Sequence, residues 1–127
     1  MIRRLWLPFL LFAAFISCKR DPGPTADQLV GRWELQSATR DGRPTESLEE
    51  LYYEFLPDGT LRTNMSGAPE TATYAVEKNI LQQRQGRIEA DYTIEELSDS
   101  VLILSANIRS FAFQFKLAKR SSTETLQ

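Results

Sequence analysis

The chain has 127 residues, 42% hydrophobic and 25% charged, which excludes wholesale disorder and allows one domain with a modest core rather than two. Its 15 basic and 17 acidic residues give a net charge of −2, or about −4 once Arg3 and Arg4 are set aside. That balance argues against nucleic-acid binding, because backbone phosphates demand a cationic face.

Met1-Ile2-Arg3-Arg4, the apolar run Leu5 to Ser17 and the only cysteine, Cys18, read as an export signal over residues 1–17. As a helix the apolar run reaches roughly 20 Å, short of a hydrocarbon core about 30 Å thick. An ordinary secretory signal and an uncleaved anchor are the alternatives. Phe15-Ile16-Ser17-Cys18 resembles the lipobox of bacterial lipoproteins, with Phe15 where leucine is usual and Ile16 where a smaller residue is commoner. The resemblance implies cleavage before Cys18 and acylation of its thiol. An exported chain with one cysteine has no internal disulfide partner, so acylation also gives that thiol a role. Several acyl chains would attach it firmly where one would not. The same resemblance implies, from Lys19 rather than aspartate beside the cysteine, the outer membrane of a bacterial envelope, with either leaflet open.

Residues 18–28, with Pro22, Gly23 and Pro24, read as the lipidated cysteine and a tether, and residues 121–127 as a flexible tail. Between them, residues 29–120 are dominated by two-residue alternation, the mark of strands with one buried face. Trp33, Leu35, Ser37 and Thr39 share one face of a first strand that ends at Asp41-Gly42. Glu46 to Glu50 reads as a helical turn. Leu51 to Leu56 and Leu61 to Ser66 form a hairpin around Pro57-Asp58-Gly59-Thr60. Thr71 to Glu77 and Ile80 to Arg84 follow, then Arg87 to Glu95 with Ile88, Ala90, Tyr92 and Ile94 on one face. Ser98-Asp99-Ser100 turns into Val101 to Ala106. The last strand sets Phe111, Phe113, Phe115 and Leu117 against Gln114 and Lys116.

Eight strands in sequence joined by short turns predict an all-β fold, an antiparallel up-and-down eight-stranded barrel or half-barrel, since closure removes exposed edges. A two-sheet sandwich is the alternative. Leu29-Val30-Gly31-Arg32-Trp33-Glu34-Leu35 resembles the Gly-x-Trp opening of lipocalins. The spacing from there to Phe55-Leu56-Pro57-Asp58-Gly59-Thr60, and on to Phe115 through Arg120, is similar to small lipocalin-like domains of bacterial lipoproteins. The resemblance implies structural roles for Gly31 and Trp33, with Lys119 or Arg120 packed on the indole.

The domain is shorter than ligand-carrying lipocalins, and an eight-stranded barrel either holds one small ligand or fills itself with side chains. With Trp33 inward, the interior candidates are Leu35, Tyr53, Phe55, Met65, Tyr74, Tyr92, Phe111, Phe113 and Phe115. A ligand pocket would set Tyr53, Tyr74, Tyr92 and Met65 at its mouth, tyrosine offering an apolar wall and a polar tip, with Phe113 beside them. The sequence has no histidine, nucleophile elbow, phosphate loop or metal-ligand spacing, so no catalytic residue, metal or cofactor is expected. Glu49-Glu50 and Glu95-Glu96 read as solvated charges, and Gln82 to Gln85 as an exposed edge or a hydrogen-bonding surface. Two functions remain open for this expected monomer. Either the barrel binds a small apolar or amphipathic molecule while acyl chains hold it at the envelope, or a solid barrel engages another envelope protein as an inhibitor or assembly accessory.

Overall fold

A computed structural model describes residues 23–120. The expected export signal over residues 1–17, Cys18 and the expected tail over residues 121–127 therefore lie outside the described residues. Within them a short helix α1 (Ala26–Leu29) precedes nine strands: β1 (Gly31–Arg40), β2 (Arg43–Pro44), β3 (Tyr52–Phe55), β4 (Thr60–Thr63), β5 (Glu70–Glu77), β6 (Ile80–Arg84), β7 (Ala90–Leu97), β8 (Val101–Ile108) and β9 (Phe111–Lys119). Each long strand pairs antiparallel with the next, and β9 pairs back onto β1 from Trp33↔Lys119 to Arg40↔Phe113. The result is a closed eight-stranded barrel with β2 as an added strand on β1. The sheet has no long free edge, which leaves the half-barrel and the sandwich without support.

The alternation carries most of the inside and outside assignment, and two register shifts correct the rest. Between Leu35 and Ser37 the β1–β9 register slips at Gln36, so the inward parity changes and Ala38 is buried in place of Ser37 and Thr39. The second slip, between Ile94 and Glu96 on β7, leaves both Glu95 and Glu96 exposed and turns Leu97 towards the core. Glu95 then accepts a hydrogen bond from Ser105 Oγ at 2.6 Å.

Turn chemistry sets the connections. Asp41 (φ 53°) and Gly42 (φ 82°) make a two-residue hairpin between the paired Arg40 and Arg43. Asp58 Oδ1 accepts the Thr60 N–H at 3.0 Å in the β3–β4 turn, and the hydrogen bonds of Thr60 hold this carboxyl below its usual range. Residues 47–50 form turns rather than a helix, with Leu51 N–H donating to Leu48 O. Residues 87–89, expected at the start of β7, lie instead in the β6–β7 loop. Arg87 N–H donates to Glu70 Oε1 at 2.8 Å, drawing this loop across to β5. Residues 26–28, read as tether, belong to α1, where Gln28 Oε1 accepts the Thr25 N–H and Ala26 packs on the core.

Candidate functional site

The barrel's two ends are built differently. At the end capped by α1, Leu29 is fully buried and its carbonyl accepts the Trp33 indole N–H at 2.8 Å. Lys119 Nζ lies 5.3 Å from the indole ring centroid, a contact that contributes about 0.5–2 kcal/mol. Gly31 (φ 133°) allows this approach, because a Cβ there would meet Lys119 Cε at 2.6 Å. Of the two basic candidates, Lys119 thus covers the tryptophan. Arg120 turns outward, its backbone N–H donating to Arg32 O at 2.8 Å and its guanidinium 3.5 Å from Glu34.

Above this plug the interior is filled. Tyr53 and Tyr92 are fully buried, edge to face at 5.7 Å, with hydroxyl oxygens 2.9 Å apart. Tyr92 donates to Gln83 Oε1 at 2.7 Å, so the shared proton between the tyrosines comes from Tyr53. Gln83 Nε2 donates in turn to Ile88 O at 3.1 Å. Burial raises both phenols well above the ordinary tyrosine range, and for Tyr53 the neighbouring Tyr92 adds to the rise. Tyr74 packs edge to face on Phe55 at 4.9 Å, donates to Leu56 O at 2.7 Å and is also raised by burial. These three tyrosines are core residues, not a pocket mouth. The hydroxyls of Tyr53 and Tyr92 are taken up by buried partners and that of Tyr74 by the carbonyl of the half-buried Leu56, which corrects the expected pocket. Gln83, read as edge or partner surface, is likewise a buried member of this network.

Met65 and Phe113 do line a recess, at the opposite end. There the strand ends of β1, β8 and β9 and the loops over residues 45–51, 64–69 and 85–89 border about 250 Å³. Met65, Ile88, Ile108 and Phe113 form its apolar base, Leu48 and Phe111 its walls, and Arg40, Ser47 and Arg109 its rim. Phe113 stacks on Phe115 at 5.5 Å, so the base rests on the core, whereas Phe111, expected inside, is 40% exposed. Arg40 reaches over the Phe111 ring, 5.0 Å from its centroid. A polar recess of about 490 Å³, lined by Arg43 and Asp41 among others, shares Arg40 and Phe111 with the apolar slot. Sequence reasoning missed Arg40, Arg109 and Leu48. The break in alternation at Asn107 to Ser110 was the one available signal for Arg109. No group of three or more His, Cys, Asp or Glu among the described residues is placed to hold a metal ion.

No protein-family model matches the chain, and neither does any curated protein sequence. Solved structures do. A lipocalin-like protein from Bacteroides uniformis superposes with a TM-score of 0.54 at 16% identity, over 73% of this chain and 99% of that one. The fold is lipocalin-like. An uncharacterized protein from Bacteroides eggerthii is similar in the same way, with a TM-score of 0.51 at 17% identity over 72% of this chain and 99% of that one. At such identities the likeness concerns the lipocalin-like fold, and the chemistry of the slot rests on this chain's own residues.

Proposed function

We propose that this lipocalin-like domain is a non-catalytic binding module, held at a bacterial envelope by acyl chains on Cys18, that takes one small apolar or amphipathic molecule into the slot at its open end. The observation that carries the reading is the slot itself: an apolar base and walls of Leu48, Met65, Ile88, Ile108, Phe111 and Phe113 beneath a polar rim, open to solvent. Its volume, about 250 Å³, falls below the range of drug-sized sites, so the ligand is small or only partly enclosed. The test is native mass spectrometry of the Cys18→Ser chain purified from its host. A recurrent small-molecule adduct, lost when Phe113→Trp fills the slot, is the expected result, and repeated absence of any adduct contradicts it.

The filled interior favours a second reading, in which the barrel is solid and the exposed Phe111 belongs to a protein-docking surface on an envelope partner. Cross-linking from position 111 in intact cells separates the two. One recurrent protein adduct with no small-molecule adduct supports docking. Metabolic labelling with fatty acid tests the anchor: label is expected on the native chain and absent from Cys18→Ser, and a labelled Cys18→Ser chain contradicts acylation at that residue.

A further inference from the structure

Resting on the docking reading above, we propose that the β1–β2 arm and the β8–β9 turn seat an acidic segment of another envelope protein. Its carboxylates meet Arg40, Arg43 and Arg109, and an apolar side chain covers Phe111. Arg40 and Arg43 occupy directly paired positions that flank the Asp41-Gly42 turn, so two like charges stand opposite each other. Like charges so placed destabilise a strand pair, and an anion between them removes that cost. The described residues do not supply one. Their ion pairs use Arg32, Arg62, Arg84 and Arg120, leaving Arg40, Arg43 and Arg109 outside all of them. The one carboxylate in the recess beside the arm, Asp41, already accepts the Ala112 N–H at 2.9 Å, and no glutamate lines that recess or the slot. Pro44 blunts the arm's free edge by itself, so edge protection does not require a second arginine opposite the first.

The spread of these groups favours a polypeptide over a single small anion or the anchoring bilayer. Arg40 and Arg43 stand on the arm, Arg109 on the turn between the paired Ile108 and Phe111, and the exposed Phe111 ring borders both recesses. A small anion would neutralise one or two of the cations and leave the ring uncovered. A chain with acidic residues on both sides of an apolar one matches all four groups, and the recess beside the arm, about 490 Å³, is open to it. Guanidinium matches carboxylate geometry, and arginine and aromatic residues are enriched where proteins dock. The chain enters the barrel at the opposite, α1 end, where Gly23 stands five residues past Cys18, a reach of at most about 18 Å. An acyl anchor on Cys18 therefore keeps that end nearest the bilayer and leaves the arginines at the remote one. The net charge of the chain is −2, so the cations are a local feature and not part of a basic surface.

The experiment is fluorescence anisotropy of a labelled peptide, three glutamates on each side of a leucine–phenylalanine pair, titrated with the Cys18→Ser chain and compared with its glutamine counterpart. At low salt the acidic peptide is expected to bind about tenfold tighter, with the preference shrinking as salt rises. Arg43→Gln is expected to cut the preference severalfold, and Arg40→Gln/Arg43→Gln/Arg109→Gln to abolish it, with buried Trp33 emission unchanged. Phe111→Ser is expected to weaken both peptides alike. Equal affinity for the two peptides, no binding of either, or an undiminished preference in the triple variant overturns the acidic segment. Inorganic phosphate binding as tightly as the acidic peptide also overturns it, in favour of a small-anion site. Arginine-dependent attachment to phosphatidylglycerol vesicles without a preference between the peptides assigns the cations to a bilayer instead. The cross-link from position 111 reports separately on docking itself: a recurrent protein adduct beside a failed peptide preference overturns only the acidic chemistry, and failure of both overturns the docking reading too.

Discussion

The two ends of the barrel spend the same residue types on opposite tasks. At the α1 end a lysine covers a buried indole, the indole N–H is satisfied by Leu29 O, and Gly31 makes room for the contact. At the other end an arginine covers Phe111, which stays 40% exposed above an open apolar slot. Cation and aromatic ring meet in both places, so the pairing does not by itself define a site. The difference lies in closure: one ring is sealed by chain on every side, and the other is left for something else to cover.

If the α1 end is the structural plug, Trp33→Ala should give the largest loss, about 3–5 kcal/mol in urea unfolding followed by circular dichroism. A loss near zero would mean that the plug is dispensable. Tyr92→Phe comes next, because it strands Gln83 Oε1 and the Tyr53 hydroxyl in the core, with an expected cost of about 1–3 kcal/mol. The same network sets a pH dependence. The folded-state phenols of Tyr53 and Tyr92 are raised, so their contribution is complete below about pH 10, the ordinary tyrosine range. Above it the unfolded chain loses phenolic protons that the folded chain retains, and stability falls as pH rises. Alkaline melts should therefore steepen above pH 10 in the native chain and less so in Tyr53→Phe/Tyr92→Phe.

Gly31→Ala probes the close approach at the plug, with an expected loss of about 1–3 kcal/mol from the positive φ and the displaced Lys119. The smallest stability effect belongs to the open end, where Phe111→Ser should stay within about 0.5 kcal/mol of the native chain. That variant sharpens the contrast if it leaves folding intact and weakens ligand binding.

The plug was the more legible end. Gly31, Trp33 and the closing basic pair announce it at fixed places in the chain, and alternation places most of the core. What the sequence hid was produced by shifts of parity and by long-range partners. The register slip at Gln36 moves Ala38 inward although Ser37 and Thr39 fit the pattern better. Gln83 looks like a surface residue until Tyr92, on the neighbouring strand, supplies its buried partner. Tyrosine hydroxyls suggest a wet pocket in sequence, yet here they bond to one another and to the backbone. The slot was hidden for a related reason. Its walls come from five separate segments, and the turn carrying Arg109 lacks the glycine that marks the turns at Gly42 and Gly59.

Ligand entry at the open end is tested most directly by amide chemical-shift mapping of the Cys18→Ser chain titrated with decanoate, a small amphipathic probe. Saturable shifts are expected to concentrate at Arg40, Leu48, Met65, Ile88 and the segment from Ile108 to Phe113, with Trp33 and Lys119 unmoved. Shifts centred on the α1 end, or none at saturating decanoate, would contradict it.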